Sequence, residues 1–329
     1  MNTAQPVLEV KDLRIEFPTR HGSLVAVDGV SFSIAPGEVL GVVGESGAGK
    51  SLTGTAIIGL LEPPGRISAG EIRLQGERID NLPHEAMRRI RGRRIGAIFQ
   101  DPLTSLNPLY TVGAQLVETI RAHLEVDAAQ ARERALALLR EVGIPAPEAR
   151  IDHYPHQFSG GMRQRVVIAL ALCAEPVLIV ADEPTTALDV SIQAQIIQLL
   201  KRLAREHGTA VMLITHDMGV IAETADRVAV MYAGRVAEIG PVREVIGAAR
   251  HPYTAGLMGS IPKIRAAAAV DRARRERLVQ IEGAMPRLNA IPQGCAFNPR
   301  CTRSFERCRL ERPEPRPTGP NLTACWLYE

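Results

Sequence analysis

No apolar run in this 329-residue sequence is long enough to cross a bilayer. The longest uncharged apolar stretch, Val166–Ala174, falls far short of the roughly 20 residues a membrane helix needs. Net charge is scarce too: 39 Lys and Arg against 36 Asp and Glu leave +3, so charge lends no support to a nucleic-acid partner. The opening MNTAQPVLEVKDL lacks the basic-then-apolar order of a secretory signal or transit peptide, which makes the cytoplasm the expected compartment. No internal repeat of roughly 20 to 50 residues is visible. Cysteine is sparse and uneven. Cys173 stands alone in an apolar helical pattern, while Cys295, Cys301, Cys308 and Cys325 fall in the last 35 residues; in a reducing cytosol such a cluster suggests metal more than disulfides. What remains, 46% hydrophobic and 23% charged, is ordinary globular composition, sufficient for one large core and an accessory segment.

Val7–Phe17 and Gly29–Ile34 alternate apolar with polar residues, as half-exposed strands do, and Val39–Val43 is a short apolar run, as a buried strand is. A Gly-rich loop, Gly44–Lys50, and a helix-compatible stretch, Ser51–Leu61, follow it. Ala114–Val142 reads as helices with a joint at His123–Ala128. Two more buried strands are expected, Val177–Ala181 ending in Asp182-Glu183-Pro184 and Ala210–Thr215 ending in His216-Asp217. Open α/β sheets place functional side chains at such strand ends. Beyond about residue 250 proline becomes frequent, and Lys263–Arg316 holds thirteen Lys or Arg against six Asp or Glu. A domain boundary is expected there: 1–250, with a helical subdomain at about 100–175, and 251–329.

Gly44-Glu45-Ser46-Gly47-Ala48-Gly49-Lys50-Ser51 satisfies G-x-x-x-x-G-K-[ST]. Glycines there allow successive N–H groups to face phosphate oxygens, Lys50 reaches the β and γ phosphates, and the Ser51 hydroxyl ligates Mg²⁺. The strand end Asp182-Glu183 supplies a carboxylate for Mg²⁺ and a second one to orient the attacking water. Taken alone, two acids after an apolar strand could be structural or a helix cap. Phe158-Ser159-Gly160-Gly161-Met162-Arg163-Gln164-Arg165 opens a helix, where free N–H groups and the helix dipole favour an anion; its plainer reading is an ordinary N-cap with a tight turn.

In this order, the phosphate loop, Gln100-Asp101-Pro102, Ser159-Gly160-Gly161, Asp182-Glu183, Ala187-Leu188-Asp189 and His216 resemble the ATPase of an ATP-binding cassette (ABC) transporter over residues 7 to about 247. The resemblance implies an α/β P-loop NTPase core of mixed sheet and helices, with a helical signature subdomain, an antiparallel β edge and a small Cys-rich C-terminal extension. It further implies a head-to-tail dimer with two ATP molecules sandwiched between cassettes, so that Ser159, Gly160 and Gly161 contact ATP on the partner's phosphate loop. By the same likeness Glu183 is the general base or water-orienting group, His216 contacts the γ-phosphate, Asp189 bridges the dimer, and Gln100 touches Mg²⁺ or water. Phe17 matches the aromatic that stacks on adenine. Singly, His216 could be a satisfied strand-end histidine, Gln100 a surface residue and Phe17 a core aromatic. The signature departs from the commonest form in having Phe158 and Met162 where Leu and Gln are usual, which leaves the phosphate-facing Ser-Gly-Gly intact.

Tyr154-Pro155-His156-Gln157, the run Asp182 to Val190, Met231-Tyr232-Ala233-Gly234-Arg235 and His251-Pro252-Tyr253-Thr254 look like the ATPase subunits of bacterial dipeptide, oligopeptide and nickel importers. That likeness implies two permease subunits, a second ATPase subunit, an extracytoplasmic binding protein, and a peripheral place on the inner membrane's cytoplasmic face. It leaves dipeptide, longer peptide, glutathione-like substrates and nickel unseparated. It also implies a [4Fe–4S] cluster on Cys295, Cys301, Cys308 and Cys325. Four thiolates equally suit Cys₄ zinc, although the spacing lacks paired C-x-x-C, and free thiols or disulfides stay open. The basic residues around the cysteines read as a solvated face or a contact with anionic lipid. Soluble relatives in DNA repair or translation would need a long coiled coil or a second cassette, and the sequence has neither. A redox or sensory protein with a vestigial ATPase sits badly with an intact Glu183 and His216.

Overall fold

The computed structural model describes residues 5–20, 22–185, 188–260 and 280–329. The first alternating segment forms β1 (Leu8–Thr19), antiparallel to β2 (Gly22–Ile34) and to β4 (Arg66–Leu74); β5 (Glu77–Arg78) completes a sheet ordered β2–β1–β4–β5. The register shifts between Val10 and Leu13, where Asp12 takes φ 48°, and this irregularity keeps Leu8, Val10, Leu13 and Ile15 all buried.

Among the described residues the second sheet has eight strands. Its centre is parallel: β9 (Arg227–Tyr232), β3 (Val39–Val43), β8 (Ala210–Ile214), β7 (Leu178–Asp182) and β6 (Ile95–Ile98). Every residue of β3 and β8 is buried, which is why both read as unbroken apolar runs rather than alternations. Beside β9 the sheet turns antiparallel through β10 (Arg235–Pro241), β12 (Asn321–Thr323) and β11 (Arg316–Thr318).

Alternate residues of the central strands serve two cores. Leu40, Val42, Val180 and Ile214 face the antiparallel sheet and α1 (Lys50–Ile57), whereas Val39, Val43, Ile179 and Leu213 face the helices on the other side. Those helices include α3 (Pro102–Ser105), α4 (Val112–His123), α5 (Ala128–Glu141), α6 (Pro147–Arg150), α7 (Gly160–Leu172), α8 (Val190–His207) and α9 (Met218–Thr224), whereas α2 (His84–Ile90) packs with the first core. The joint expected at His123–Ala128 is real. Thr111 caps α4, and a reciprocal pair starts α5: Gln130 N donates to Asp127 Oδ1 (2.8 Å) and Asp127 N to Gln130 Oε1 (3.0 Å).

Described residues on the two sides of the compositional change near residue 250 pack against each other. β12 extends the sheet formed by the residues before 250, Glu238 opposite Thr323 and Ile239 opposite Leu322, and Phe297 packs among Tyr232 and Tyr253 with ring centroids 5.2 and 5.4 Å away. Proline and arginine raise solvent exposure along a segment without preventing a few apolar anchors from joining a neighbouring core. Described residues after 250, in β12 and at Phe297, therefore join the sheet and core formed by the residues before it.

Candidate functional site

Three parallel strands end on one side of the sheet, and each delivers part of the site. β3 runs into the glycine loop and α1. Gly44 (φ 151°) and Gly49 (φ 99°) lie in the left-handed half of φ space; a Cβ on Gly44 would stand 2.2 Å from the Met231 carbonyl oxygen, and one on Gly49 3.2 Å from that of Ala26. Lys50 leaves this loop with its Nζ turned inward, donating to the carbonyls of Gly44 (2.8 Å) and Glu45 (3.1 Å). Burial pushes the Lys50 ammonium below its usual range, and the nearby carboxylates of Glu183, Asp182 and Glu45 oppose that shift.

β7 delivers the two acids. Ser51 Oγ donates to Asp182 Oδ1 (3.1 Å). Burial raises the Asp182 carboxyl above its ordinary range and the adjacent Glu183 adds to the rise, while Ser51 and Lys50 pull it down. Glu183 takes φ 45°, uncommon for a residue with a side chain, and its N–H is tied to the Ile214 carbonyl of β8 (2.9 Å). In that position Glu183 is bracketed: Gln100 Nε2 donates to Oε2 (3.2 Å), and His216 Nδ1 lies 3.2 Å from Oε1. His216 itself, at the end of β8, keeps 62% of its side chain exposed and faces solvent as well as Glu183.

Ser46, Gly47, Ala48, Gly49, Lys50, Ser51, Gln100, Glu183 and His216 thus line a single cleft of about 830 Å³. Oxygen donors at Ser51 and Asp182 suit a hard divalent cation, and a buried carboxylate held above its normal pKa is one that a cation would relieve. The donor set fits Mg²⁺. Several expected site residues lie elsewhere. Ser159, Gly160 and Gly161 sit at the open N-terminus of α7, where Ser159 Oγ accepts from Met162 N (3.3 Å). Asp189 precedes α8 and is exposed; Ala187 of the same motif lies outside the described residues. Phe17 does not line the cleft: its ring rests on Gly65, where a Cβ would come within 2.8 Å of Phe17 Cε1.

Sequence reasoning missed the rest of the cleft's lining. Met285, Pro286, Arg287 and Leu288, from the C-terminal extension, line it together with the glycine loop. Glu45, expected to serve phosphate, instead sends its carboxylate to Arg300, whose NH1 stands 3.0 Å from both oxygens, while its N–H donates to the Tyr253 hydroxyl (2.9 Å). Nothing in the spacing of these residues announces the contact. With 7% of its side chain exposed, Arg300 departs from the solvated basic face expected of this segment.

Cys295, Cys301, Cys308 and Cys325 line one small cavity with His251, Phe297 and Trp326. Burial pushes the Cys295 thiol up to about 11, and burial likewise raises Cys301 and Cys325, each with neighbouring cysteines adding to the rise. Among the described residues no three His, Cys, Asp or Glu side chains are placed to hold a metal ion. No described helix is long and apolar enough to cross a membrane.

Residues 27–186 match the family described as ABC transporter, and residues 237–308 match the oligopeptide/dipeptide transporter, C-terminal region. The chain is 46% identical to the dipeptide transport ATP-binding protein DppD of Escherichia coli, over 93% of its own length and 92% of that protein. It is 50% identical to the oligopeptide transport ATP-binding protein OppD of Bacillus subtilis, over 88% of its length and 80% of that protein. Among solved structures, the dimeric ATP-binding cassette MJ0796 in a post-hydrolysis state with ADP and Pi superposes with a TM-score of 0.63 at 31% identity, covering 72% of this chain and 99% of that one.

Proposed function

The chain belongs to the ATP-binding subunits of ABC transporters, in the group bearing the oligopeptide/dipeptide transporter C-terminal region, and we propose that it hydrolyses ATP to drive import of dipeptides or oligopeptides. It is an ATPase coupled to transport. The observation carrying the reading is the bracketing of Glu183 by Gln100 and His216 above the cradle of Lys50 and Ser51. Phosphate oxygens entering the loop take over the Nζ protons that Lys50 now gives to Gly44 and Glu45. Glu183 orients water towards the γ-phosphate and takes up its proton. His216 and Lys50 stabilise charge on the phosphoryl oxygens as the bond breaks. Ser51 and Asp182, with Gln100 lining the same cleft, would hold Mg²⁺, which would supply neutralisation of phosphate charge.

The Ser159-Gly160-Gly161 helix start does not line the cleft, which supports a head-to-tail pair in which each signature covers the other subunit's nucleotide, with Asp189 bridging. MJ0796, similar in fold, is described as a dimer. Two permease subunits and an extracytoplasmic binding protein complete the assembly, and the chain sits peripherally on the cytoplasmic face of the membrane. A nickel or glutathione importer would use the same motor, and substrate binding measured on the partner binding protein separates these. Glu183→Gln is expected to abolish hydrolysis in the assembled transporter while ATP binding persists; unchanged turnover contradicts the assignment.

Cys295, Cys301, Cys308 and Cys325 hold a [4Fe–4S] cluster in this reading. Their shared cavity supports it, four thiols being the ligand number such a cluster takes. Anaerobic purification should yield brown protein containing iron and sulfide; stoichiometric zinc would overturn the cluster.

A further inference from the structure

We infer that Arg300 of the C-terminal extension is a positioning residue for the nucleotide, acting through Glu45 to hold the glycine loop in its binding shape; this rests on the ATPase reading above. The loop is anchored at Glu45 from three directions. Its N–H goes to the Tyr253 hydroxyl (2.9 Å), its carbonyl accepts from Lys50 Nζ (3.1 Å) and from Ala48 N (3.1 Å), and its carboxylate meets Arg300 NH1 through both oxygens at 3.0 Å. Glu45 follows Gly44, whose unusual φ the loop must keep, so fixing Glu45 fixes the peptide that aims the next N–H groups.

Arg300 is in turn almost fully committed. Its Nε donates to Glu282 O (2.9 Å), NH2 to Gly283 O (3.2 Å), and NH1 also reaches the Tyr232 hydroxyl (3.3 Å). The guanidinium carbon lies 5.8 Å from the Tyr232 ring centroid and 5.9 Å from that of Phe297. One planar group therefore ties the phosphate loop to residues 282–283, just before Met285–Leu288 line the cleft. A lysine could restore the charge opposite Glu45 but not the fork that holds the 282–283 backbone at the same time.

Loss of this anchor loosens the loop before ATP binds, while Glu183, His216 and Gln100, which stand outside the loop, stay where they are. The effect belongs in KM rather than in kcat. In the assembled transporter, Arg300→Gln is expected to raise KM for ATP about tenfold with kcat changed less than twofold, and Arg300→Lys to recover part of that rise. Glu45→Gln should give a similar increase, and the double variant no more than either alone, because both changes cut one link. Calorimetric ATP titration of the full-length chain, with thermal denaturation as a folding check, gives the second readout; should Arg300→Gln fail to fold, Glu45→Gln carries the test. Unchanged KM in folded Arg300→Gln, or additive effects in the double variant, overturns the inference. Lys50→Ala separates the two readings. If it loses ATP binding while Arg300→Gln does not, only the positioning role fails; if Lys50→Ala binds ATP normally, the nucleotide site itself is misassigned.

Discussion

At the scale of single residues, the site depends on backbone that few side chains tolerate. Gly44→Ala places a Cβ 2.2 Å from the Met231 carbonyl at a φ of 151°, so the loop must distort. The expected cost is at least about 2 kcal/mol of stability, with ATP binding weakened more than tenfold; titration calorimetry and denaturant unfolding check both. A second residue links stability to acid. His251 is buried, its Nδ1 accepts from Tyr253 N (3.0 Å), and burial lowers its pKa from 6.5 to about 4. The unfolded chain takes up that proton near pH 6.5 and the folded chain only near pH 4, so stability present above pH 6.5 is lost as pH falls towards 4, by up to about 3 kcal/mol. His251→Gln should flatten this acid-side loss in melting temperature. Curves for the two proteins that stay parallel from pH 7 to about pH 4 would contradict it.

At the scale of elements, the join between cassette and extension turns on a buried carboxylate. Glu238 in β10, with no exposed surface, accepts from Arg250 N (3.0 Å), His251 N (2.9 Å) and Asn321 Nδ2 (2.9 Å). Asn321→Ala removes the donor that β12 contributes and is expected to cost about 1–3 kcal/mol in urea denaturation. A loss below about 0.5 kcal/mol would mean that the join rests on backbone pairing alone. This element was illegible in the sequence. β11 and β12 are three residues each and carry no alternation long enough to read, whereas β3, β7 and β8 announced themselves because strands buried on both faces need continuous apolar residues. The joint before α5 was legible for a local reason, since Asp127 and Gln130 satisfy each other's backbone.

At the scale of the whole molecule, the Ser159-Gly160-Gly161 helix start does not line the cleft that Lys50 and Glu183 share. The strand-end motifs were readable because each has a local chemical pattern. The lining of the cleft by Met285–Leu288 and the tie from Arg300 to Glu45, 255 residues apart, join distant parts of the sequence and have none. The absence of Ser159 from the cleft's lining leads to a specific expectation. Ser159→Arg should leave ATP affinity of the isolated chain within about twofold and abolish hydrolysis in the assembled transporter, measured as phosphate release. The most direct test of the account is a structure of the assembled transporter carrying Glu183→Gln and loaded with ATP and Mg²⁺. It should place the γ-phosphate about 3 Å from Lys50 Nζ of this chain and against the signature helix of a second cassette. Nucleotide remote from Lys50, or held by one cassette with no opposing helix, would contradict it.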